Sequence, residues 1–327
     1  MPKIVVLDGH TLNQGDLSWD TLKALGTVEI YERSAADEII KRAEQADIIL
    51  SNKVPISKET IAALPKLKYI GVMATGYNNI AIEAARIRNI PVCNASGYST
   101  TSVAQHVFAL ILALLNRVEA HHASVQVGQW SQYPDFSYTL QTIHELARKT
   151  LGIYGLGKIG NKVADIALAF DMKVLATHKH PIRDARLGVD FVELPELFAA
   201  SDFISLHAPL SVANRQIVNR NLLEKMRPSA YLINTGRGGL IHEADLKKAL
   251  INRQLAGVAL DVLSQEPPPK DHPLLDVPNC IITPHMAWAS LASRTRLMNI
   301  CVENIKAFLD GKPQNVVNGA YYSFASK

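Results

Sequence analysis

Short runs of β-branched residues alternate with helical stretches along most of this 327-residue chain. Such alternation is typical of parallel sheets that are covered by helices on both faces. In the first hundred residues the predicted strands are 3–7, 28–31, 48–51, 69–73 and 91–94. The helices predicted between them are 19–25, 35–46, 57–64 and 80–88.

The alternation stops at one long predicted helix, 100–120, and begins again at residue 150. The helix is apolar nearly all round as far as Leu115, so we expect both of its sides to be covered. The later strands are predicted at 150–154, 173–177, 203–207, 231–234, 257–260 and 280–283, with helices at 157–170 and 291–310 and a polar tail at 312–327. Single cores stop growing near ~250–300 residues, which favours two α/β domains, each with a mainly parallel, doubly wound sheet.

A glycine motif opens the second alternation. Gly155, Gly157 and Gly160 form a GxGxxG pattern between a predicted strand and a predicted helix. In dinucleotide sites, the first glycine permits a tight turn, the second lets a pyrophosphate approach the backbone, and the third lets the helix pack on the strand. A purely structural glycine turn is the alternative. We assign cofactor binding to Gly155, Leu156, Gly157, Lys158, Ile159 and Gly160.

The next predicted strand, 173–177, ends in the sequence THKH without a carboxylate. An acidic residue about 20 positions beyond the glycines usually holds the adenosine ribose hydroxyls of NAD. It also repels the 2′-phosphate of NADP, so its absence predicts that NADP is at least tolerated. His178 and Lys179 are the candidate ribose-binding residues. In the alternative, they are solvated loop positions and NAD binds regardless.

Three polar residues, Arg237, Glu266 and His285, lie at or just beyond the ends of later predicted strands. Ligands of open α/β sheets bind outside the carboxyl ends of strands, so we expect the three residues in one cleft. A guanidinium can hold the carboxylate of a 2-keto acid and polarise its carbonyl. An imidazole can protonate the alkoxide that reduction leaves, and a neighbouring carboxylate favours imidazolium. Asp261 is a candidate for contact with the nicotinamide carboxamide.

The overall composition argues against several other classes of protein. The 34 basic and 30 acidic residues are interspersed, with a net charge of +4, which predicts neither a nucleic-acid nor a membrane partner. Three scattered cysteines predict no disulfide framework and no metal site, and they favour a reducing, cytoplasmic compartment. The chain begins with a predicted strand rather than a leader. Its most apolar stretch, 103–115, is shorter than the ~20 residues of a membrane helix.

Five motifs together resemble those of the D-isomer-specific 2-hydroxyacid dehydrogenases. They are GYNNI at 76–80, GLGKIG at 155–160, NTGRG at 234–238, ALDVL at 259–263 with Glu266-Pro267, and TPH at 283–285. Their order and spacing are specific, and the similarity covers almost the whole chain. His178 stands where the family commonly has Asp, which puts a simple preference for NAD in doubt.

The resemblance implies a discontinuous, flavodoxin-like substrate domain of residues 1–98 and 291–327, and a Rossmann-type dinucleotide-binding domain of residues 99–290. It implies that Arg237 binds substrate, that His285 is the acid/base and that Glu266 is its partner. The loop with Thr75 and Gly76 resembles the family's backbone cradle for the substrate carboxylate, and Thr235 joins the cofactor residues. Members of the family are usually homodimers, joined through the helix that corresponds to 100–120 and the loop after it.

The segment from Met286 to Trp288 most resembles the glycerate dehydrogenase/hydroxypyruvate reductase branch. The reaction expected is therefore reduction of hydroxypyruvate or glyoxylate to D-glycerate or glycolate with NAD(P)H. Trp288 would cap the substrate pocket, or it would lie at the domain interface. Two other functions remain open, a reductase of other 2-keto acids and a non-catalytic dinucleotide sensor that binds a protein partner.

Overall fold

The computed structural model describes residues 1–319, and the chain divides into two compact units. Unit 1 consists of Met1–Ser99 and the chain from Ala289 onward, and unit 2 is Thr100–Trp288. The sequence placed these boundaries at 98/99 and 290/291. Residues 320–327 of the expected substrate domain lie outside the described residues.

Unit 1 is built on a five-stranded parallel sheet with the order β2-β1-β3-β4-β5. Its strands are β1 (Lys3–Val6), β2 (Thr27–Ile30), β3 (Ile48–Ser51), β4 (Tyr69–Val72) and β5 (Val92–Cys93). The helices before the chain leaves this unit are α1 (Asp20–Lys23), α2 (Ile39–Ala43), α3 (Lys58–Ala63) and α4 (Ile82–Ile87). The central strands are continuous apolar runs, as expected where helices cover both faces of a parallel sheet. This strand order is the flavodoxin-like one.

Unit 2 is built on a seven-stranded parallel sheet with the order β12-β11-β10-β9-β6-β7-β8. Its strands are β6 (Thr150–Tyr154), β7 (Lys173–Thr177), β8 (Val189–Phe191), β9 (Phe203–Leu206), β10 (Tyr231–Asn234), β11 (Gly257–Leu260) and β12 (Cys280–Ile282). Its helices are α5 (Thr100–Asn116), α6 (Val118–Gln126), α7 (Lys158–Ala169), α8 (Leu194–Ala200), α9 (Arg220–Leu223) and α10 (Glu243–Ile251). The strand order reverses between β6 and β9, the place where such sheets bind dinucleotides.

Two apolar cores lie on the two faces of the seven-stranded sheet. One contains the buried side chains of α5 and α7, and the other those of α8, α9 and α10. The fold class expected from the sequence is confirmed. Strand β8 and helices α8 to α10 were not predicted from the sequence; β8 has only three residues, with an exposed Asp190 at its centre.

The prediction of one long helix at 100–120, covered on both sides, is wrong in two respects. Arg117 has a left-handed φ of 45°, which a right-handed helix cannot continue, so α5 ends there and α6 begins at an angle of 50°. The expectation that α5 is covered on both sides also fails, since Gln105, Ala109 and Ala113 form an exposed stripe. Within the described part of the chain no single helix is long and apolar enough to span a membrane. Helices α5 and α6 reach that length and composition only together, as a bent pair.

The C-terminal segment returns to the sheet of unit 1 after helix α11 (Leu291–Leu309). Val316 forms an antiparallel bridge with Cys93, and the side-chain amide of Asn318 bonds the backbone of Ile90 and Val92. The polar tail predicted for 312–327 is therefore wrong for residues 312–319, where this buried asparagine satisfies the backbone at the edge of β5. The rest of the predicted tail lies outside the described residues.

Candidate active site

The glycine loop joins β6 to α7 at the switch point of the seven-stranded sheet. Gly155 has a φ of +98°, and a Cβ there would lie 2.5 Å from the Ala208 nitrogen. A Cβ on Gly160 would lie 2.3 Å from the Gly155 oxygen, so the chain's own packing requires both glycines. At Gly157 an added Cβ would meet nothing within 4 Å. The space before Gly157 and the N-terminus of α7 fits a pyrophosphate bound by backbone N–H groups.

His178, at the end of β7, is turned back toward the glycine loop. Its Nδ1 accepts a hydrogen bond from the Leu156 N–H at 3.1 Å, so the ring hydrogen lies on Nε2. That nitrogen donates to Asp184 Oδ2 at 2.7 Å. No carboxylate stands at the end of β7 in the sequence. In the fold, however, the Asp184 carboxylate from the following loop lies against His178.

Asp184 also binds the neighbouring Arg183. The Nε and Nη2 atoms of Arg183 lie 2.8 and 2.7 Å from the two carboxylate oxygens. Hydrogen bonding from Arg183, with a smaller contribution from His178, lowers the pKa of Asp184 to about 2. The carboxylate thus balances the charge of Arg183, whereas Lys179 is exposed and forms no ion pair within residues 1–319.

Arg237 lies in a tight turn after β10. The Asn234 side chain closes the turn, accepting from the Gly236 N–H at 3.0 Å and donating to the Arg237 oxygen at 2.9 Å. A Cβ on Gly238 would lie 1.9 Å from the Leu263 carbonyl carbon, so a glycine is needed for this turn to pack against the segment after β11. The turn is thereby held beside the segment that carries Glu266.

Thr235, in the same turn, has a hydroxyl oxygen that is buried without a hydrogen-bond partner among the described residues. Its side chain is 9% exposed. Buried polar groups are rarely left unpaired, so an orphaned hydroxyl at the carboxyl edge of β10 is an observation that fits a bound ligand. The sequence analysis assigned Thr235 to the cofactor on the resemblance alone.

Glu266 and His285 form a hydrogen bond between the segments that follow β11 and β12. The His285 Nδ1 lies 2.6 Å from Glu266 Oε2, and the other carboxylate oxygen accepts from the Leu263 N–H at 3.0 Å. Because a carboxylate only accepts, Nδ1 donates, and Nε2 is left for a substrate. The two side chains are 27% and 33% exposed, so the pair is accessible to small molecules.

Asp261 follows β11 and is completely buried. Its oxygens accept from the Thr283 hydroxyl at 2.6 Å and from the N–H groups of Met286 and Ala287 at 2.9 and 2.8 Å. Burial alone would raise the pKa of Asp261, but hydrogen bonds from two side chains and two backbone amides outweigh it and leave the pKa below its ordinary value. This carboxylate therefore organises the turn that carries His285, a task the sequence analysis did not foresee.

His207 is a further site residue that the sequence analysis missed. It directly follows β9, at the switch point, and its Nε2 lies 2.8 Å from Ser205 Oγ. Burial lowers the pKa of His207 to about 4, so the imidazole is neutral. The sequence could have identified His207 as a candidate from its position at the end of a predicted strand. The same kind of position identified His285.

The loop with Thr75 and Gly76 belongs to unit 1 and follows β4. The Thr75 hydroxyl donates to the Ala95 carbonyl at 3.0 Å, and the Thr75 carbonyl accepts from the Asn94 side chain at 2.7 Å. Within residues 1–319 no group accepts from the N–H of Thr75 or Gly76. These hydrogen bonds fix the loop in a form that leaves two N–H groups for an anion.

Trp288 and the three cysteines are the other residues that the sequence singled out. Trp288, predicted near the substrate, is half-buried. Burial raises the pKa of Cys93 to about 11 and those of Cys280 and Cys301 to about 12, so all three remain thiols. Within the described part of the chain no group of three His, Cys, Asp or Glu side chains is placed to hold a metal ion.

Comparison with known proteins agrees with this geometry. Residues 108–287 match the family described as D-isomer specific 2-hydroxyacid dehydrogenase, NAD binding domain. A hydroxypyruvate reductase of Blautia hydrogenotrophica is 43% identical over 321 residues, which cover 97% of this chain and 99% of that protein.

Two solved structures share the fold over nearly the whole chain. An acyclic imino acid reductase in complex with NADPH and D-Arg superposes with a TM-score of 0.85 at 34% identity, covering 96% of this chain and 99% of that one. An NADPH-dependent glyoxylate/hydroxypyruvate reductase of Sinorhizobium meliloti gives a TM-score of 0.82 at 26% identity, covering 97% and 98%. Of these two structures, the imino acid reductase contains bound NADPH.

Proposed function

This chain belongs to the D-isomer-specific 2-hydroxyacid dehydrogenases, and from that premise we propose that it reduces hydroxypyruvate or glyoxylate with NAD(P)H. The 2.6 Å contact between His285 and Glu266 carries the proposal, because the reaction needs a proton donor beside the carbonyl. The names of the relatives support the substrate class. An indole at Trp288 would limit the size of the substrate's side chain.

Proton transfer follows from the contacts of His285. A nicotinamide held by the glycine loop would supply the hydride for C2. Reduction leaves an alkoxide, and the imidazolium gives it the proton on Nε2 while Nδ1 still donates to Glu266 Oε2. Because the pair is about one-third exposed, solvent restores the proton. In the direction of oxidation, neutral His285 removes the hydroxyl proton.

Arg237 and the Gly76 loop are proposed to bind the keto acid. The Arg237 Nη1 donates to the Gly236 carbonyl at 2.8 Å, which orients the guanidinium and leaves other N–H groups for a carboxylate or carbonyl oxygen. On the family resemblance, the N–H groups of Thr75 and Gly76 are proposed to bind a substrate carboxylate. A guanidinium near the carbonyl also stabilises the negative charge that develops there.

The glycine loop, Thr235 and Asp261 are proposed to hold the dinucleotide, with His178 and Lys179 at the ribose. Leu156, Lys158 and Ile159 contribute backbone to the same loop. The open space at Gly157 and the orphaned hydroxyl of Thr235 fit such a ligand. We propose that NADPH is used at least as well as NADH, since the carboxylate that reaches the strand end, Asp184, is already bound by Arg183 and His178.

A homodimer is proposed through α5, α6 and the segment that follows. This region has many exposed apolar side chains, namely Val118, Val125, Val127, Trp130, Tyr133, Phe136, Leu140 and Ile143. Monomers rarely expose contiguous apolar surface of this kind, which marks an interface. Val118, Val125 and Ile143 also line an open depression of about 410 Å³, together with Asn116, His121, His122 and Tyr138. A cytoplasmic location also stays a prediction.

A substrate panel tests the proposed function. Hydroxypyruvate, glyoxylate, pyruvate and a branched 2-keto acid are each offered with NADH and with NADPH, and the fall in absorbance of the reduced cofactor is followed. We expect the highest kcat/KM with hydroxypyruvate or glyoxylate. A higher value for a larger keto acid would identify the alternative reductase. Cofactor binding without turnover of any substrate would identify the dinucleotide sensor.

A further inference from the structure

His285 lies in a turn with an unfavourable backbone conformation. Its φ is 52°, in the left-handed region that residues other than glycine rarely adopt. Its N–H donates to the Thr283 carbonyl at 2.9 Å. Such conformations persist at functional sites only where the surrounding structure fixes them. Three donors of this turn, from Thr283, Met286 and Ala287, converge on the buried Asp261 carboxylate.

Two side chains of α5 also contact this turn. The His106 Nε2 lies 3.1 Å from Thr283 Oγ1 and 3.5 Å from Asp261 Oδ1. Ser102, one helical turn earlier, donates to the Ala287 carbonyl at 2.7 Å. A single face of α5 therefore contacts both ends of the turn on which His285 lies.

The proton positions in this network are determined by its acceptors. The Asp261 carboxylate only accepts, so the single hydroxyl hydrogen of Thr283 is directed to Asp261 at 2.6 Å. Thr283 Oγ1 can then only accept from His106, whose Nε2 must carry a hydrogen. His106 is 15% exposed, so water does not readily replace that donor.

We propose that His106 is a positioning residue that fixes His285 in its catalytic conformation through Thr283 and Asp261. The proposal rests on the proposed function, because His285 must be the proton donor for its position to affect turnover. His106 itself donates no proton to the substrate. Its contribution is a hydrogen bond that keeps the Thr283 hydroxyl directed at Asp261, and with it the turn from 283 to 287.

The test compares His106→Leu with His106→Gln in the full chain. Leu removes the donor, whereas the Gln side-chain amide can donate from nearly the place of Nε2. We expect His106→Leu to lower kcat for hydroxypyruvate by about tenfold or more, since a shift of ~1 Å in a reacting group can cost ~10²-fold. The Kd for NADPH should stay within about twofold, and His106→Gln should recover most of the activity.

A second readout does not depend on turnover. Hydrogen exchange in the cofactor-free protein should become about tenfold faster for the amides of Met286 and Ala287 in His106→Leu, and should return toward the parent rate in His106→Gln. Thr283→Val should give the same two effects if His106→Leu fails to fold. The control is Thr101→Ala, at an exposed position of the same helix, which should leave both rates unchanged.

Two results would overturn the proposal. One is parent-like kcat and amide exchange in His106→Leu. The other is equal damage from Leu and Gln, which would show that only the shape of the ring matters. A parent enzyme that turns over no 2-keto acid would instead refute the proposed function, and the exchange measurement would still report whether His106 holds the turn.

Discussion

In the proposed function, the proton chemistry depends on a single pair of atoms, His285 Nδ1 and Glu266 Oε2. The 2.6 Å separation orients the imidazole with Nε2 free, and both side chains lie on segments that follow neighbouring parallel strands. Arg237 follows the next strand of the sheet, so the three groups share its carboxyl edge. His285 and Arg237 each make a separate prediction, because a separate step is proposed for each.

Replacing His285 with Gln removes the proton donor. General acid catalysis typically contributes ~10²–10⁴-fold, so kcat should fall within that range. Affinity for NADPH, measured by fluorescence titration, should barely change, because the imidazole is proposed to act only on the substrate. His144→Gln, at an exposed position, is the matched control. Near-parental kcat in His285→Gln would exclude the histidine as the acid.

Replacing Arg237 with Lys keeps the charge but loses the planar fork. We expect KM for the keto acid to rise and kcat to fall, with kcat/KM reduced by about tenfold or more, because an ammonium cannot bind two oxygens side by side. Steady-state kinetics with hydroxypyruvate measure both constants. Arg215→Lys, an exposed arginine of the same unit, is the control. Unaltered constants would mean that the Gly76 loop alone holds the carboxylate.

Asp184→Asn tests cofactor choice. The change removes the charge that balances Arg183 and so frees a guanidinium for a 2′-phosphate. The ratio of kcat/KM for NADPH to that for NADH should rise by about threefold to tenfold, since 1.4 kcal/mol corresponds to a factor of about ten. Asp190→Asn, an exposed carboxylate on β8, should leave the ratio unchanged. A ratio that moves toward NADH would contradict this role of Asp184.

Residue chemistry explains which of these groups the sequence could predict. His285, Glu266 and Arg237 follow strands and have side chains suited to keto-acid reduction, so their positions in the sequence were enough to propose them. Asp184 and His106 were missed because their roles depend on contacts that the fold creates. Asp184 lies in the loop after β7 and contacts His178 at the end of that strand. His106 contacts Thr283, which is 177 positions away in the sequence.

Helix α5 contributes both to the core of unit 2 and to the contacts around His285. Its inner face packs on the sheet and holds the turn of His285, while Gln105, Ala109 and Ala113 remain exposed. The sequence predicted a helix covered on all sides because Ala109 and Ala113 are apolar. Composition alone cannot distinguish burial within one chain from burial against a second copy. The break at Arg117 has no sequence signal, because arginine is an ordinary helix former.

The exposed apolar side chains of α6 and the segment after it predict that the protein is a homodimer in solution. The parent should have about twice the mass of one chain by light scattering. Ala113→Arg and Val127→Lys place charges in the proposed interface and should shift the protein to a monomer, since an unpaired buried charge is strongly unfavourable. Ile251→Lys, at an apolar residue that is 59% exposed at the end of α10, should leave the mass unchanged. A parent that is monomeric at micromolar concentration would contradict the proposed dimer.

At the scale of the whole molecule, the two sheets were predictable because eleven of the twelve strands are short, mainly apolar runs that alternate with helical stretches; only β8 was missed. The strand orders were not written in the sequence, and only the family resemblance implied them. The assignment of one unit to the cofactor follows from the glycine loop in unit 2, which the family match over residues 108–287 supports. The assignment of the other unit to the substrate remains a proposal.

The central claim is that this chain transfers a hydride to C2 of a small 2-keto acid and that His285 protonates the product. The most direct measurement uses hydroxypyruvate with reduced cofactor deuterated at the transferred position of C4, followed by mass spectrometry and chiral analysis of the glycerate. We predict one deuterium at C2 in the D-isomer, formed by the parent and only slowly by His285→Gln. Product without deuterium, the L-isomer, or equal rates from both proteins would contradict the account.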